Sequence, residues 1–227
     1  MEDNENNFEI KGNVHIPFSP ILLECTLPLP YIKMFNDYGD KISVDEKLTK
    51  EQDCSDVLVG NTQQEHYVDN ELWERKFVDK GLPTFFNWVQ GCVHLYIKSF
   101  DKSILNENTT AEAIANKKMT IIKNGWIVNS IAGDFNPFHA HSGTISAVGY
   151  LKVPESIEKD LEREKAGWIQ FMYGTNHPYV DPYYDCKPQV GKMMFFPSWL
   201  QHQVYPFRSK SLRRSLSFNL ALENIKE

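Results

Sequence analysis

The sequence predicts a mainly β protein, in which helices come first and a jelly-roll sheet follows, with the helices packed outside it. Two observations support this. Between residues 65 and 105 the apolar residues recur at helical spacing. From Met119 onward, short runs rich in Ile, Val, Phe, Tyr and Trp alternate with clusters of Gly, Pro, Asn and Asp, a pattern typical of an all-β sandwich or barrel.

The first elements are short. Phe18–Leu27 contains an apolar run flanked by prolines and is predicted to be a strand. Pro30 occupies a position suited to a helix start, so Tyr31–Tyr38 is predicted to be a short amphipathic helix. The polar residues 39–61 are predicted to be mostly loop.

Two further helices are predicted, one before and one after Gly81, with Pro83 placed for the first turn of the second. The second has an apolar stripe that we expect to pack against the sheet. Its members are Phe85, Phe86, Val89, Cys92, Val93, Tyr96 and Ile97.

In the second half, strands are predicted near 119–123, 126–132, 139–152, 168–173, 192–197, 201–206 and 212–221. The charged segment Glu155–Lys165 is predicted to be a helical insert at one edge. The loop 174–190, rich in Tyr and Pro, is placed to cover the mouth of a site.

The length of 227 residues favours one domain. We expect residues 1–12 to be a loose tail and residues 119–222 to be the β core that carries the site. The net charge of −6 weighs against a nucleic-acid partner. No apolar run approaches the roughly 20 residues that span a bilayer, and the acidic start is unlike a signal peptide, so a cytoplasmic protein is expected.

Three of the seven histidines suggest a metal site. His139 and His141 are two residues apart, so in a strand they face the same side. His202, from a distant strand, would complete one face of an octahedron. The remaining positions would stay open for a bidentate co-substrate and dioxygen, as non-haem iron(II) oxygenases require.

The last predicted strand alternates polar and apolar residues. Arg213, Ser215, Ser217 and Asn219 share one face, whereas Leu216, Phe218 and Leu220 share the other. If the apolar face packs against the helices, Arg213 looks into the barrel, where an unpaired guanidinium would be costly. A dicarboxylate is the natural partner of its forked donors. Arg214, on the opposite face, is predicted to be a surface charge or an edge contact.

These motifs resemble the 2-oxoglutarate/iron(II) oxygenases of bacteria and tailed phages, which are relatives of the prolyl hydroxylases. The resemblance covers Trp126 to Leu222. It rests on Asn-Pro-x-His-x-His-x-Gly from Asn136, Tyr-Leu-x-Val-Pro from Tyr150, Phe-Pro-Ser-Trp-Leu-x-His-x-Val from Phe196, and Arg-x-Ser from Arg213.

The resemblance implies a cupin-like double-stranded β-helix in which His139, His141 and His202 bind iron(II). It also implies that 2-oxoglutarate chelates the iron while Arg213 and Ser215 pair with its distal carboxylate. The reaction would consume dioxygen and release succinate and carbon dioxide, and a peptidyl or amino-acid substrate of prolyl type is the first expectation. Further polar residues could hydrogen-bond the co-substrate, its ligands or the substrate. They are Asn129, Tyr150, Asn136 and Asn219.

Some alternatives stay open. The wider superfamily usually has a carboxylate where His141 stands, so Asp134 could be an oxygen ligand instead, or the site could hold two histidines and an open position. The protein could also be a cupin-like three-histidine metalloprotein that does not use 2-oxoglutarate, or a non-catalytic β-sandwich module of a phage. His15 and His66 are expected to be exposed, and His177 an ordinary loop residue.

Overall fold

The computed structural model describes residues 20–55, 60, 64–101 and 117–224. Within them, ten strands form two antiparallel sheets. The larger sheet has the order β1-β8-β5-β10-β3-β2, and the smaller has the order β4-β9-β6-β7. The predicted tail at residues 1–12, the start of the first predicted strand and His15 lie outside the described residues.

The strands of the larger sheet are β1 (Leu23–Thr26), β2 (Glu65–Tyr67), β3 (Lys117–Ser130), β5 (Ile145–Lys152), β8 (Lys192–Pro197) and β10 (Arg213–Asn224). Those of the smaller sheet are β4 (Asn136–His139), β6 (Ile169–Met172), β7 (Tyr183–Cys186) and β9 (Gln201–Val204).

The helices are α1 (Leu29–Ile42), α2 (Glu46–Gln52), α3 (Asn70–Trp73), α4 (Phe85–Asp101) and α5 (Glu155–Glu158), with a 3₁₀ turn at Val78–Lys80. α1 has a proline in its first turn, as predicted. Asp45 caps α2 by accepting hydrogen bonds from the amides of Lys47 and Leu48. Among the residues described, no helix combines the length and apolar character needed to cross a bilayer.

The main core lies between the helices and the outer face of the larger sheet. Leu216, Phe218 and Leu220 of β10 are fully buried in it. The ring of Trp73 meets that of Phe218 edge-on at 5.2 Å, and Phe85 stands against Phe35 at 4.8 Å between centroids. Burial of this apolar face is the main driving force that holds the N-terminal helices on the sheet.

A second, smaller core lies between the two sheets. It joins Val148 and Tyr150 of β5 to Phe171 of β6 and Phe196 of β8. The rings of Phe171 and Phe196 pack edge-on at 4.9 Å. The architecture confirms the predicted fold class: a double-stranded β-helix, mainly β, buttressed on its outside by N-terminal helices.

Arg214 corrects one prediction. It is 1% exposed, not a surface charge, because α1 covers its face of β10. Its Nε donates to Asn129 Oδ1 at 2.7 Å, and its Nη1 donates to the Asn36 carbonyl at 2.9 Å and to an Asp40 carboxylate oxygen at 2.8 Å. Arg214 therefore ties α1 to the two neighbouring strands β10 and β3.

Several element boundaries also differ from the prediction. The strands predicted at 119–123 and 126–132 are one strand, β3. The predicted break between them is a β-bulge, in which Gly125 has a φ of 69° and the pairing of β3 with β10 shifts register. The strand predicted at 139–152 is divided into β4 and β5. β2, β7 and α2 lie in segments predicted to be helix or loop, and α5 is shorter than the predicted insert.

Gly39 provides a test of the Arg214 contact. A Cβ at Gly39 would lie 2.7 Å from Arg214 Cζ and 2.8 Å from its Nε. Gly39→Ala should therefore lower the free energy of unfolding by roughly 1–3 kcal/mol, although alanine favours helices. The matched control is the exposed Gly91 of α4, which has no atom within 4 Å of such a Cβ, so Gly91→Ala should raise stability by about 0.5–1 kcal/mol. Urea unfolding of both variants measures the difference, and equal shifts would contradict this account.

Candidate metal centre and co-substrate cavity

Three imidazoles converge at one end of the space between the sheets. His139 at the end of β4 is paired in register with His202 of β9. His141 follows two residues after β4 rather than within it, and its amide donates to the Ser198 carbonyl at 2.8 Å. One ring nitrogen from each histidine lies within 4.8 Å of the other two. This separation suits three ligands around a single ion.

Backbone carbonyls orient two of the three rings. His139 Nδ1 is 2.7 Å from the Pro137 carbonyl oxygen, and His202 Nδ1 is 2.9 Å from that of Leu200. A carbonyl can only accept, so each Nδ1 donates and the neutral ring leaves its Nε2 lone pair free. This is the tautomer that a metal-binding histidine with a carbonyl partner adopts.

The surroundings keep the three rings uncharged. Burial lowers the pKa of His202 to about 3, with the neighbouring His139 adding to the effect. Burial also lowers the pKa of His141 to about 4 and that of His139 below its ordinary value. All three imidazoles are therefore neutral at pH 7, and neutral imidazole is the form that binds metal.

A cavity of about 230 Å³ extends from the histidines between the sheets. The β10 face predicted to look inward does so, since Arg213, Ser215, Ser217 and Asn219 all line it. Asn136 and Asp134 line it as well. The period of two along β10 thus brings the predicted anion-binding arginine into the same cavity as the three histidines.

Arg213 is the unusual residue of this cavity. It is 3% exposed, and its Nε has no hydrogen-bond partner in the part of the chain that the structure describes. The guanidinium carbon lies 5.1 Å from the centroid of the Tyr150 ring, a cation–π contact. Burial lowers the pKa of the Arg213 guanidinium. A buried guanidinium of this kind needs an anion, and a carboxylate fits its donors.

Of the remaining predicted site residues, Tyr150 and Asn219 lie at the cavity, and Asn129 does not. Tyr150 is fully buried beneath Arg213, and its hydroxyl lacks a hydrogen-bond partner among the described residues. Asn219 Oδ1 accepts a hydrogen bond from Ser146 Oγ at 2.7 Å. Asn129 differs from the expectation, because it lies on the helix side of the sheet and its oxygen is engaged by Arg214. It does not line the cavity.

Asp134 is near the site, but it is not part of the three-residue group of possible metal ligands. Its Oδ2 accepts a hydrogen bond from the Ile131 amide at 2.9 Å.

Two histidines outside the metal centre also had predicted environments. His66, which was expected to be exposed, is 5% exposed, because β2 pairs with the edge of β3. His177 is exposed in the loop between β6 and β7.

Glu65 lines the cavity and was not predicted. It is the first residue of β2, paired in register with Val128, and is 2% exposed. Burial, together with the charges of Asp134 and Asp53, raises the pKa of Glu65 to about 8. A strand of three residues has too few positions to show a period of two, so the sequence carried no signal for it.

The two adjacent arginines should respond in opposite ways to the same substitution. Arg214→Met removes the partner of Asn129 and Asn36 and should lower the free energy of unfolding by roughly 2–4 kcal/mol. Arg213→Met removes a buried charge that has no ion-pair partner among the described residues, and it should leave the metal-free protein equally stable or up to about 2 kcal/mol more stable. Urea unfolding of metal-free protein measures both, and a comparable loss in the two variants would contradict the assigned environments.

Glu65 should make stability depend on pH. Its pKa is about 8 in the folded chain against an ordinary 4.5, so the folded state holds a proton that the unfolded state has released. Its contribution to stability is complete below pH 4.5 and is lost as the pH rises toward 8. Glu65→Gln should therefore match the wild type near pH 4.5 and exceed its stability by on the order of 2–4 kcal/mol at pH 8. Thermal unfolding across this pH range is the measurement, and a difference independent of pH would refute the prediction.

Comparison with known proteins adds a family match. Residues 124–219 match the family described as "Putative 2OG-Fe(II) oxygenase". No curated protein sequence matches the chain.

Three solved structures share the fold at low sequence identity. One is a non-haem α-ketoglutarate-dependent epimerase, SnoN, from nogalamycin biosynthesis, at 11% identity and a TM-score of 0.52, with 88% of this chain and 78% of that chain covered. The carbocyclase SnoK from the same biosynthesis has 12% identity and a TM-score of 0.51, with 89% and 79% covered. A Trichoplax adhaerens prolyl hydroxylase in complex with a peptide fragment has 12% identity and a TM-score of 0.50, with 89% and 83% covered.

The matched segment contains all three histidines and Arg213. Over the β-rich half of the chain, the family match confirms the resemblance to 2-oxoglutarate/iron(II) oxygenases that the motifs indicated.

Proposed function

We propose that this protein is an iron(II)- and 2-oxoglutarate-dependent dioxygenase, and that it hydroxylates an amino-acid or peptidyl substrate of prolyl type. The observation that carries the proposal is the pairing of two features in one cavity. Three neutral imidazoles converge within 4.8 Å, and a buried arginine without a hydrogen-bond partner for its Nε lines the same space. A metal and a carboxylate would satisfy both.

In this proposal His139, His141 and His202 hold the iron, and Arg213 with Ser215 binds the distal carboxylate of 2-oxoglutarate. Tyr150 supports the guanidinium from below through its ring. Iron(II), 2-oxoglutarate and dioxygen together supply the oxidation of an unactivated C–H bond, with succinate and carbon dioxide as the co-products. The chain itself fixes the imidazole tautomers through the Pro137 and Leu200 carbonyls and excludes water from the guanidinium.

His141 is favoured over Asp134 as the third ligand. The Asp134 carboxylate already accepts a hydrogen bond from the Ile131 amide. The backbone of His141 is fixed beside the other two histidines by the hydrogen bond that its amide donates to the Ser198 carbonyl. A site with three neutral ligands carries one negative charge fewer than a site with two histidines and a carboxylate. This difference should weaken the retention of iron by the site, since the ligand charge that balances the cation is smaller.

The amino-acid or peptidyl substrate is supported by exposed aromatic side chains on the smaller sheet and its turns, outside the lining of the histidine cavity. Phe138 precedes His139 and pairs with Tyr183 at 6.5 Å, and Trp199 pairs with Tyr173 at 5.8 Å. All four are at least 37% exposed. Such rings can contact a pyrrolidine ring or an extended peptide. The fold alone does not identify the substrate, because the epimerase SnoN, the carbocyclase SnoK and the prolyl hydroxylase all have this fold.

We further propose that the chain is a single domain. The main core is built jointly by α1, α4 and β10, so the helices of the first half share their apolar contacts with strands of the second.

A cupin-like metalloprotein that does not use 2-oxoglutarate is the second candidate function, since the three histidines alone would be enough for it. Arg213 argues against that candidate and against a non-catalytic module, because neither requires a buried guanidinium.

The first test is an anaerobic titration of metal-free protein with iron(II), with and without 2-oxoglutarate. The visible metal-to-ligand charge-transfer band of a chelated keto acid should appear in the wild type. It should be weakened in Arg213→Ala, with the apparent affinity for 2-oxoglutarate reduced by roughly 30-fold or more because a charge-assisted pair is lost. It should be absent in His202→Ala.

The matched control is His177→Ala, which removes an exposed loop histidine and should leave the band unchanged. On admission of oxygen, succinate should form in the wild type and the control only. Tight iron binding without a band would favour the cupin-like candidate, and no iron binding would mean that the proposed function is wrong.

A further inference from the structure

Glu65 lines the cavity, and among the described residues only its backbone is hydrogen-bonded. Its amide donates to Ser55 Oγ at 3.3 Å, and its carbonyl accepts from the Cys54 amide at 2.9 Å. Among the described residues, its carboxyl group makes no hydrogen bond or ion pair, although the residue is 2% exposed. Burying a carboxyl group without a partner is unfavourable, so packing alone does not explain why a glutamate stands at this position.

The neighbours of Glu65 suit a cation. Asp134 lines the same cavity, and Ile131 provides the one hydrogen bond that its carboxylate makes among the described residues. Tyr67 lies on the same face of β2, opposite Trp126 of β3, and both also line the cavity. Two carboxyl groups beside two aromatic rings form a surface that attracts ammonium and guanidinium groups through both charge and cation–π contacts.

The charges of the cavity point the same way. In the proposed function, iron(II) and the dianion 2-oxoglutarate cancel, and the three imidazoles are neutral. The charge of Arg213 then offsets one of the two carboxylates, so one negative charge is left. Without a further cation, Glu65 would have to keep its proton, which agrees with its raised pKa. One positive charge on the substrate would balance the cavity.

We propose that Glu65 and Asp134 bind a cationic nitrogen of the substrate, so that this oxygenase acts on a compound with an ammonium or guanidinium group. The inference rests on the proposed function and narrows its substrate class. A free amino acid or amine has such a group close to its C–H bonds. The backbone nitrogen of an internal peptidyl proline has no charge, so a free substrate is favoured over an internal residue of a polypeptide.

The test uses four probes of equal chain length that differ in charge. These are n-butylammonium, n-butylguanidinium, n-butanol and n-butyrate. Their affinities are measured anaerobically by NMR titration for the full chain loaded with iron(II) and 2-oxoglutarate, and again without these two. The two cations should bind at least about tenfold more tightly than butanol. Butyrate should bind most weakly to the loaded protein, in which 2-oxoglutarate occupies Arg213.

Glu65→Gln should weaken butylammonium binding by roughly 30-fold, which is the lower range for removing one partner of a buried charge pair, and should leave butanol binding unchanged. Asp134→Asn should also weaken the cation selectively. The matched control is Asp185→Asn, because Asp185 is a half-buried carboxylate that bonds Gln170 and Lys165 and does not line the cavity. Its affinity for butylammonium should stay within about twofold of the wild type.

The pH dependence separates a binding role from a structural one. The ionisable groups that interact with Glu65 or share its cavity are Asp53, Asp134, Cys54, Tyr67, Arg213 and the three histidines. Because Glu65 ionises near pH 8 while an alkylammonium stays charged, butylammonium affinity should rise by roughly tenfold from pH 7 to pH 9 in the wild type. In Glu65→Gln this rise should disappear.

The outcomes distinguish the two proposals. Cation binding that depends on Glu65, in a protein without the iron-dependent band, would overturn the proposed oxygenase function while supporting a cation site. The band together with equal affinities for butanol and butylammonium would overturn the cation site alone. Equal losses in Glu65→Gln and Asp185→Asn would also overturn it, because the effect would then be general charge and not a contact.

Discussion

The placement of two adjacent arginines on opposite faces of β10 is the constraint on which the rest of the structure depends. β10 lies between β5 and β3 in the larger sheet, so both of its edges are paired. The helices cover one of its faces, and the other face lines the cavity. Arg214 enters the helix side and donates hydrogen bonds to Asn129, Asn36 and Asp40. Arg213 enters the cavity, where its Nε has no partner among the described residues. One guanidinium thus holds the scaffold together, and the other is left for a ligand.

This division explains how the fold tolerates a polar interior between its sheets. The cavity contains neutral imidazoles, an arginine and two carboxyl groups, none of which adds the stability of an apolar core. The outer core of α1, α4 and β10 offsets this cost with aromatic side chains such as Phe35, Phe85 and Phe218, all of them fully buried. Stability is therefore concentrated on the outer face of the larger sheet, and chemistry on its inner face.

The sequence predicted the parts that follow from local periodicity. Alternation along β10 placed Arg213, Ser215 and Asn219 in the cavity. The two histidines of the His-x-His motif meet at one centre as expected, but His141 lies beyond the end of β4, so the alternation of a strand is not what brings it there. Alternation could not reveal the burial of Arg214, because it gives the face of a side chain but not what covers that face. It also could not find Glu65, since β2 is only three residues long and pairs with a strand sixty residues away. The engagement of Asn129 by Arg214 is likewise a tertiary contact.

A three-histidine centre changes where the negative charge of the cavity resides. In the proposed site no carboxylate of the protein contacts the iron, and the protein's carboxyl groups in this region, Glu65 and Asp134, belong to the wall of the same cavity. Burial and mutual repulsion keep Glu65 protonated until a cation arrives. Substrate binding and the charge balance of the cavity are then coupled, because a cationic substrate lowers the cost of ionising Glu65 and pairs with the carboxylate that forms. The segment that matches the family begins at residue 124, so β2, which carries Glu65, lies outside it and the proposed cation site is built partly from a strand that the match does not include.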